Sequence, residues 1–416
     1  MAKGAGDKSP ATLPRMKFTR SFIPYGAYWS TPFCKWQGSF SHLNAITFAA
    51  DAAKTALAAR DIDPKGFDGV VLGMTVLQKH QLYGGPWLAA MIGAEGVTGT
   101  MVAQACATGA RTIATAAAEV DASAEATLLA VTADRCSNGP HVYYPNPQGP
   151  GGTGDREDIV LDSFANDPWA KNSMIQTAEN VAKEAGITRE MQDECTLVRY
   201  AQYERALADG GAFHKRFVLA PLEVKDASGR KVVATVAKDE GVFATTRDGL
   251  AALKPVLPGG TVTFGSQTHP ADGNAGCVVT SRERAKALSR DKAIEVALVS
   301  YGQGRAKKGF MAMATVPAAQ AALTAAGITL KDVKAIKTHN PFAVNDVYLA
   351  QALDLKIEGF NDYGSSLIYG HPQGPTGMRL VLELVEELAL KGGGYGLFVG
   401  CAAGDTAGAL VVKVGR

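Results

Sequence analysis

The sequence predicts an α/β protein made of two copies of one βαβ-type unit, the first copy opened by a long insertion. Three observations carry this reading. Distant segments match at a nearly constant offset. Short apolar runs of strand length alternate with helical patterns, the signature of α/β layering. The 416 residues include 46 glycines, which suit the many tight strand-to-helix turns that layering requires.

The elements follow in chain order. "ALAARDIDPKGFDGVV" from Ala56 matches "ALTAAGITLKDVKAIK" from Ala322, an offset of 266. Each reads as a helix end, a turn carrying Ile62 or Ile328 and Lys65 or Lys331, then an apolar strand. "GARTIATAAAEV" from Gly109 matches "GMRLVLELVEEL" from Gly377 at offset 268, and both have a helical pattern. The same offset sets "TLLAV" from Thr127 against "YGLFV" from Tyr395, a short buried strand in each. "AGCVV" from Ala275 resembles "AGALV" from Ala407. Val131 and Cys277 are 146 positions apart, but Val399 and Ala409 only 10, so copy one carries about 136 extra residues. The insertion holds the Pro/Gly-rich "GPHVYYPNPQGPGGTG" and a helix-rich stretch over 177–210. Insertions into a duplicated scaffold often supply a binding surface. In copy two, "GLFVGCAAGDTAGALVVKVGR" reads as a hairpin with strands near 396–399 and 407–414. The expected divisions are 1–136, first part of the N-terminal half; 137–245, inserted loop domain; 246–285, remainder of that half; and 286–416, C-terminal half.

Bulk properties exclude several classes. A net charge of +2 offers no basic excess for nucleic acid. No apolar run reaches the length of a membrane span. The polar start "MAKGAGDKSPATLPRMKF" lacks an apolar signal core, so a cytoplasmic protein is expected. Cys34, Cys106, Cys136, Cys195, Cys277 and Cys401 are scattered with no CxxC pair, which argues against a disulfide scaffold or a zinc site. No metal is expected.

Four constellations carry chemistry. Cys106 sits in "MVAQACATGARTIATAAAEV", an extended approach followed by a helix that starts at or just after the cysteine. The helix dipole there favours a thiolate, and small neighbours leave amides accessible for an oxyanion hole; a core cysteine is the plain alternative. "YGHPQGPTGMR" holds the corresponding place in copy two, with His371 three residues before Gly374, the repeat partner of Cys106. The duplication brings a cysteine loop and a histidine loop to facing positions, which thiol activation requires. In "KTHNPFAVND" a strand ends at His339, where Pro341 stops regular structure; a polar group there suits an oxyanion hole, and a structural histidine is the alternative. Cys401 ends a strand before "AAGD", placed as an acid/base near a carbon acid or as a buried hairpin cysteine.

In this order the four motifs resemble the thiolase superfamily: a nucleophilic Cys, an Asn-Glu-x-Phe or His-Asp-x-Phe segment, a Gly-His-Pro-x-Gly segment and a Cys-x-Gly-Gly segment. "STPFCKWQGSF", "TADRCSNGPH", "MIQTAENVAKEAGITREMQDE" and "DGLAALKPVLPGGTVTFGSQTHPADGNAG" extend the likeness from about Met16 to the C-terminus. The resemblance implies duplicated αβαβα halves with an inserted loop domain, and a homodimer or homotetramer. It implies coenzyme A and acyl-CoA as substrates, with no permanently bound cofactor. It assigns Cys106 as nucleophile, His371 as its activator and Cys401 as the acid/base. One oxyanion hole is formed by His339 and His371, the other by the backbone N–H groups of Cys106 and Ala403. Thr268 corresponds to a position along the pantetheine arm, and Phe342 belongs to the same substrate-binding surface.

Three departures point to an unusual acyl group: His339-Asn340-Pro341 in the second motif, Ala403 in place of a glycine, and "QTHPADGNAG" around His269. "HNPFAVND", "GHPQGPTGMR" and "GCAAGD" together are similar to thiolases of anaerobic aromatic breakdown, the benzoylsuccinyl-CoA type, which work with a small zinc-ribbon/OB-fold partner subunit. The expected activity is reversible CoA-dependent cleavage of a 3-oxoacyl-CoA. The alternatives are an acetyl-CoA acetyltransferase of general fatty-acid metabolism, a decarboxylating ketosynthase-like enzyme and a catalytically silent relative. Cys401 speaks against decarboxylation, which needs no α-proton base.

Overall fold

The computed structural model describes residues 15–123 and 125–416; most of the polar lead-in, residues 1–14, lies outside them. Two sheets frame the molecule. In the first, strands run in the order Tyr28–Ser30, Ala271–Val279, Leu128–Arg135, Gly69–Gly73, Gly99–Val102. In the second the order is Met16–Lys17, Glu295–Arg305, Thr406–Gly415, Gly394–Ala402, Val333–His339. Gly69–Gly73 and Leu128–Arg135 are parallel, as are Val333–His339 and Gly394–Ala402. Each pair is closed by an antiparallel strand, Ala271–Val279 or Thr406–Gly415. The duplication is therefore visible as two sheets of like topology. The pairing register refines the sequence match. Val131 pairs with Gly276, whereas Val399 pairs with Ala409, so the "AGCVV"/"AGALV" match, which set Cys277 against Ala409, is displaced by one residue.

The helices Thr108–Ser123 and Gly374–Leu390 lie between the sheets and touch strands of both. They cross at the repeat-equivalent glycines. A Cβ on Gly109 would lie 2.2 Å from the Met378 nitrogen and 2.6 Å from the Gly374 carbonyl oxygen, so no larger residue permits this approach. On the outside, Ala45–Ala58 packs Ile46 and Leu57 against Leu72, Leu129 and Val131. Thr315–Ala326 packs Ala318 and Ala322 against Leu397, Val399 and Val411. With both faces covered, the strands read as continuous apolar runs.

The insertion leaves the first sheet after Arg135 and returns at Ala271. It contains the helices Met174–Ala185 and Arg189–Gly211 and two small hairpins. Two buried ion pairs tie it to the second half. Arg199 Nε lies 2.7 Å from Asp346 Oδ2. Arg379 makes a two-pronged contact with Asp239, at 2.6 and 2.9 Å. The Arg379 guanidinium also lies over the rings of Phe33 and Tyr369, 4.7 and 3.9 Å from their centroids. Gly374–Leu390 is thus buried all round up to Ala389, with Arg379, Glu383, Glu386 and Glu387 inside. Such charges persist in an interior only when paired.

Candidate active site

The chain turns sharply between strand Gly99–Val102 and helix Thr108–Ser123. The Gln104 amide donates to Thr108 Oγ1 at 2.7 Å, and that hydroxyl donates to the Ala105 carbonyl at 2.7 Å. Ala105 is held at φ 43°, the left-handed region that a non-glycine residue enters at a cost of about 1–3 kcal/mol. The kink puts Cys106 on the wall of a cavity.

The second elbow repeats the device. Gln373, the repeat partner of Ala105 at offset 268, is held at φ 63°. Pro375 follows in the first turn of the helix, where its missing N–H costs nothing. The first half pins this elbow. Asp134 accepts from the Gly374 amide at 2.8 Å, and from the Thr75 amide, Thr75 hydroxyl and Val76 amide, each at 2.9 Å. Burial raises the Asp134 carboxyl to about 7 against the pull of those donors.

The two histidines meet between the elbows. His371 Nδ1 faces the Thr376 hydroxyl at 2.6 Å, and His339 Nδ1 faces the Ser366 hydroxyl at 2.8 Å. Among the described residues each Nε2 is buried without a hydrogen-bond partner. The rings stack with centroids 4.0 Å apart and planes at 30°. One ligand-type atom from each of Cys106, His339 and His371 lies within 4.8 Å of the other two. Burial lowers His371 to about 3. It also takes His339 well below its ordinary value, with His371 adding to the effect. Both imidazoles are neutral at physiological pH.

Burial pushes the Cys106 thiol up to about 11, although the amides of Ala403 and Cys106 hydrogen-bond to the sulfur and oppose the rise. This corrects the expectation that a helix dipole favours the thiolate. The helix begins two residues later, at Thr108, and desolvation outweighs it. A thiol held this high becomes a thiolate only with a base beside it.

Cys401 sits one residue from the end of strand Gly394–Ala402 and accepts from Asn345 Nδ2 at 3.1 Å. Burial raises its thiol well above the usual range, and the nearby Cys106 adds to this. It is therefore a protonated thiol at physiological pH.

The cavity has a volume of about 1170 Å³. Cys106, His371, Gln373 and Ala403 form its reactive end, while His339 and Cys401 stand behind this lining. Thr268 and Phe342 line the wall, and the Thr268 hydroxyl donates to the Ser366 carbonyl at 2.5 Å. Pro341 also lines it, but His269 does not; its Nε2 is buried without a partner. The insertion contributes Ile159, Leu161, Phe164 and Trp169. Sequence reasoning missed Gln373, whose carboxamide oxygen accepts from the Cys106 thiol at 3.3 Å. It also missed Asp134 and Asn345. Gln373 had one available signal, its position opposite Ala105 in the repeat.

Comparison with known proteins places the chain in a family. The thiolase N-terminal domain family matches residues 27–283, and the thiolase C-terminal domain family matches residues 292–414. The acetyl-CoA acetyltransferase of Escherichia coli K12 is 31% identical over 391 residues, covering 92% of this chain and 96% of that protein. The human mitochondrial 3-ketoacyl-CoA thiolase is 29% identical over 390 residues, with the same coverage. Among solved structures, the Bacillus anthracis acetyl-CoA acetyltransferase superposes with a TM-score of 0.87 at 25% identity, over 96% of this chain and 99% of that one. The human mitochondrial 3-ketoacyl-CoA thiolase in complex with CoA gives 0.85 at 27% identity, with equal coverage. The chain belongs to the thiolase family and is an acyltransferase. No helix among the described residues is long and apolar enough to cross a membrane.

Proposed function

We propose that this enzyme performs reversible, CoA-dependent cleavage of a 3-oxoacyl-CoA through an acyl group carried on Cys106. The observation that carries the reading is the gathering of Cys106, His339 and His371, one ligand-type atom of each within 4.8 Å of the other two, beside the backbone amides of Cys106 and Ala403. His371 takes the thiol proton as the sulfur attacks the substrate's 3-keto carbon. The amides of Cys106 and Ala403 hold the resulting oxyanion. The C2–C3 bond then breaks, and its electrons pass to the thioester enolate, held by His339 and His371. Cys401 gives its proton to C2 and releases the shorter acyl-CoA. Free CoA attacks the acyl-cysteine, returns a proton to Cys401 and leaves with the acyl group, while the His371 proton returns to Cys106.

The acyl group in this proposal is bulky and aromatic, benzoylsuccinyl-CoA-like, and the direction is degradative. The support is a large cavity walled by Ile159, Phe164, Trp169, Met174, Met311 and Phe342. The enzyme is read as a cytoplasmic homo-oligomer. Strand Gly99–Val102 leaves one sheet edge open, with Leu82 and Tyr83 exposed before the helix that packs on it. The aromatic form of the reading includes a small zinc-ribbon/OB-fold partner, for which co-purification is the check. A thiolysis screen over 3-oxoacyl-CoAs with short alkyl, long alkyl, aryl and carboxylated acyl groups tests the substrate. The proposal expects the aryl compounds to have the highest kcat/KM. A preference for acetoacetyl-CoA returns the enzyme to general acetyl transfer. Cys401→Ala should still form acyl-enzyme from a simple acyl-CoA but lose α-proton exchange; normal exchange in that variant removes Cys401 from the mechanism.

A further inference from the structure

The Cys–His pair lacks the group that ordinarily supports such a pair. His371 Nδ1 faces a neutral hydroxyl, Thr376, and among the described residues no carboxylate hydrogen-bonds to this imidazole to hold the charge that proton transfer creates. Both side chains are buried, so a thiolate–imidazolium pair formed there without further hydrogen bonds is strongly disfavoured. One polar side chain stands at the junction. Gln373 lies on the cavity wall, nine-tenths buried, and its Oε1 accepts from the Cys106 thiol at 3.3 Å. The same side chain also favours the protonated form of His371, against the burial that lowers it. Its backbone is kept in the left-handed region, φ 63° and ψ −106°. That conformation aims the carboxamide across the molecular pseudo-twofold toward the other half's nucleophile. The repeat partner Ala105 occupies the same kind of turn with no side chain able to reach across.

We infer that Gln373 is a further catalytic residue, a bridging acceptor that takes a hydrogen bond from the Cys106 thiol before proton transfer and from the His371 imidazolium after it. In that step the S–H bond breaks and its electron pair stays on sulfur. An N–H bond forms at His371 Nε2, and Gln373 Oε1 exchanges one donor for another without itself gaining a proton. A hydrogen bond from a cation is stronger than one from a neutral thiol. The exchange therefore lowers the cost of charge separation just as it occurs. The other titratable groups around the sulfur are His339, Cys401, Asp134 and Cys136. Burial keeps the histidine and the two thiols neutral, and Gln373 is the side chain whose oxygen accepts from the Cys106 thiol.

This inference rests on Cys106 being the nucleophile and His371 its base, and the test separates the two claims. The rate of Cys106 alkylation by iodoacetamide is followed by peptide mass in the wild type, Gln373→Leu, His371→Ala and the double variant, with melting temperature as a folding control. Gln373→Leu should slow alkylation by roughly tenfold, about what one charge-assisted hydrogen bond supplies. In the His371→Ala background the same change should have little further effect, because the acceptor acts through the imidazolium. Gln373→Glu, which keeps an acceptor oxygen in place, should retain His371 as a working base and shift the alkylation pH profile. Faster alkylation in Gln373→Leu, or an equal loss with and without His371, overturns the bridging role. Failure of His371→Ala to slow alkylation sinks the Cys–His reading itself.

Discussion

The two elbows at the centre of the molecule have the same construction and different loads. Each passes through a non-glycine residue with positive φ, Ala105 or Gln373, and feeds a central helix. The helices touch at Gly109 and Gly377, equivalent glycines of the repeat. One elbow presents a sulfur, the other an imidazole and a carboxamide. The lesson is that duplication supplied the geometry and divergence supplied the chemistry. A single copy could place one reactive group on a kinked turn; two copies about a pseudo-twofold place complementary groups face to face. The connections after the central strands differ as sharply. In the second half a turn of residues 403–405 holds Ala403 and Cys401 against the sulfur. In the first, residues 136–270 leave the sheet and build the wall that a substrate meets.

This comparison can be broken by degrees. Exchanging the reactive atom of the first elbow has the largest effect. Cys106→Ser should lower kcat by about 10⁴-fold or more, since an alcohol needs far stronger activation than a thiol; steady-state thiolysis measures it. Detaching the insertion from the second half comes next. Asp239→Asn removes one of the two buried carboxylates paired with Arg379, leaving Glu383, and denaturant unfolding should show a loss of about 3 kcal/mol.

The helix crossing gives a graded test of the symmetry. Gly109→Ala drives a methyl into the Met378 nitrogen, and the expected loss is about 3 kcal/mol. At Gly377 an added Cβ would meet the Ala110 nitrogen at 3.2 Å, so Gly377→Ala should cost about 1 kcal/mol. Equal losses at the two sites contradict the asymmetric crossing.

The smallest effect is electrostatic. Burial holds His371 at about 3 in the folded protein, but near 6.5 in the unfolded chain. Between those values only the unfolded chain takes the proton, so this group's contribution to stability is lost as pH falls below about 6.5. From pH 6.5 to 5 the wild type should lose about 1.5 kcal/mol that His371→Asn does not. Parallel stability curves for the two proteins would show that the imidazole is not held neutral.

Much of this arrangement was legible in the sequence because it is written locally. The repeat segments and the insertion follow from offsets, and Cys106, His339, His371 and Cys401 sit in short motifs beside turn-forming glycines and prolines. What stayed hidden depends on residues that meet only after folding. Gln373 reaches Cys106 across 267 positions, and Asp134 reaches the Gly374 amide across 240. The helical pattern of "GMRLVLELVEEL" also concealed its burial. Arg379 and Glu383 look like a solvated face until Asp239 and Tyr369 are seen against them. The Cys106 environment was misjudged for a similar reason: a helix start is visible in sequence, but the surrounding desolvation is a property of the packed core.

The account's central claim is that the two halves cooperate to make Cys106, among six buried cysteines, the carrier of an acyl group. Its most direct test is to incubate the enzyme with an acyl-CoA, quench in acid and map the acyl mass by peptide sequencing. The account predicts acylation of Cys106, lost in His371→Ala and retained in Cys401→Ala. Acylation of Cys401, or release of CoA with no acyl group found on Cys106, would contradict it.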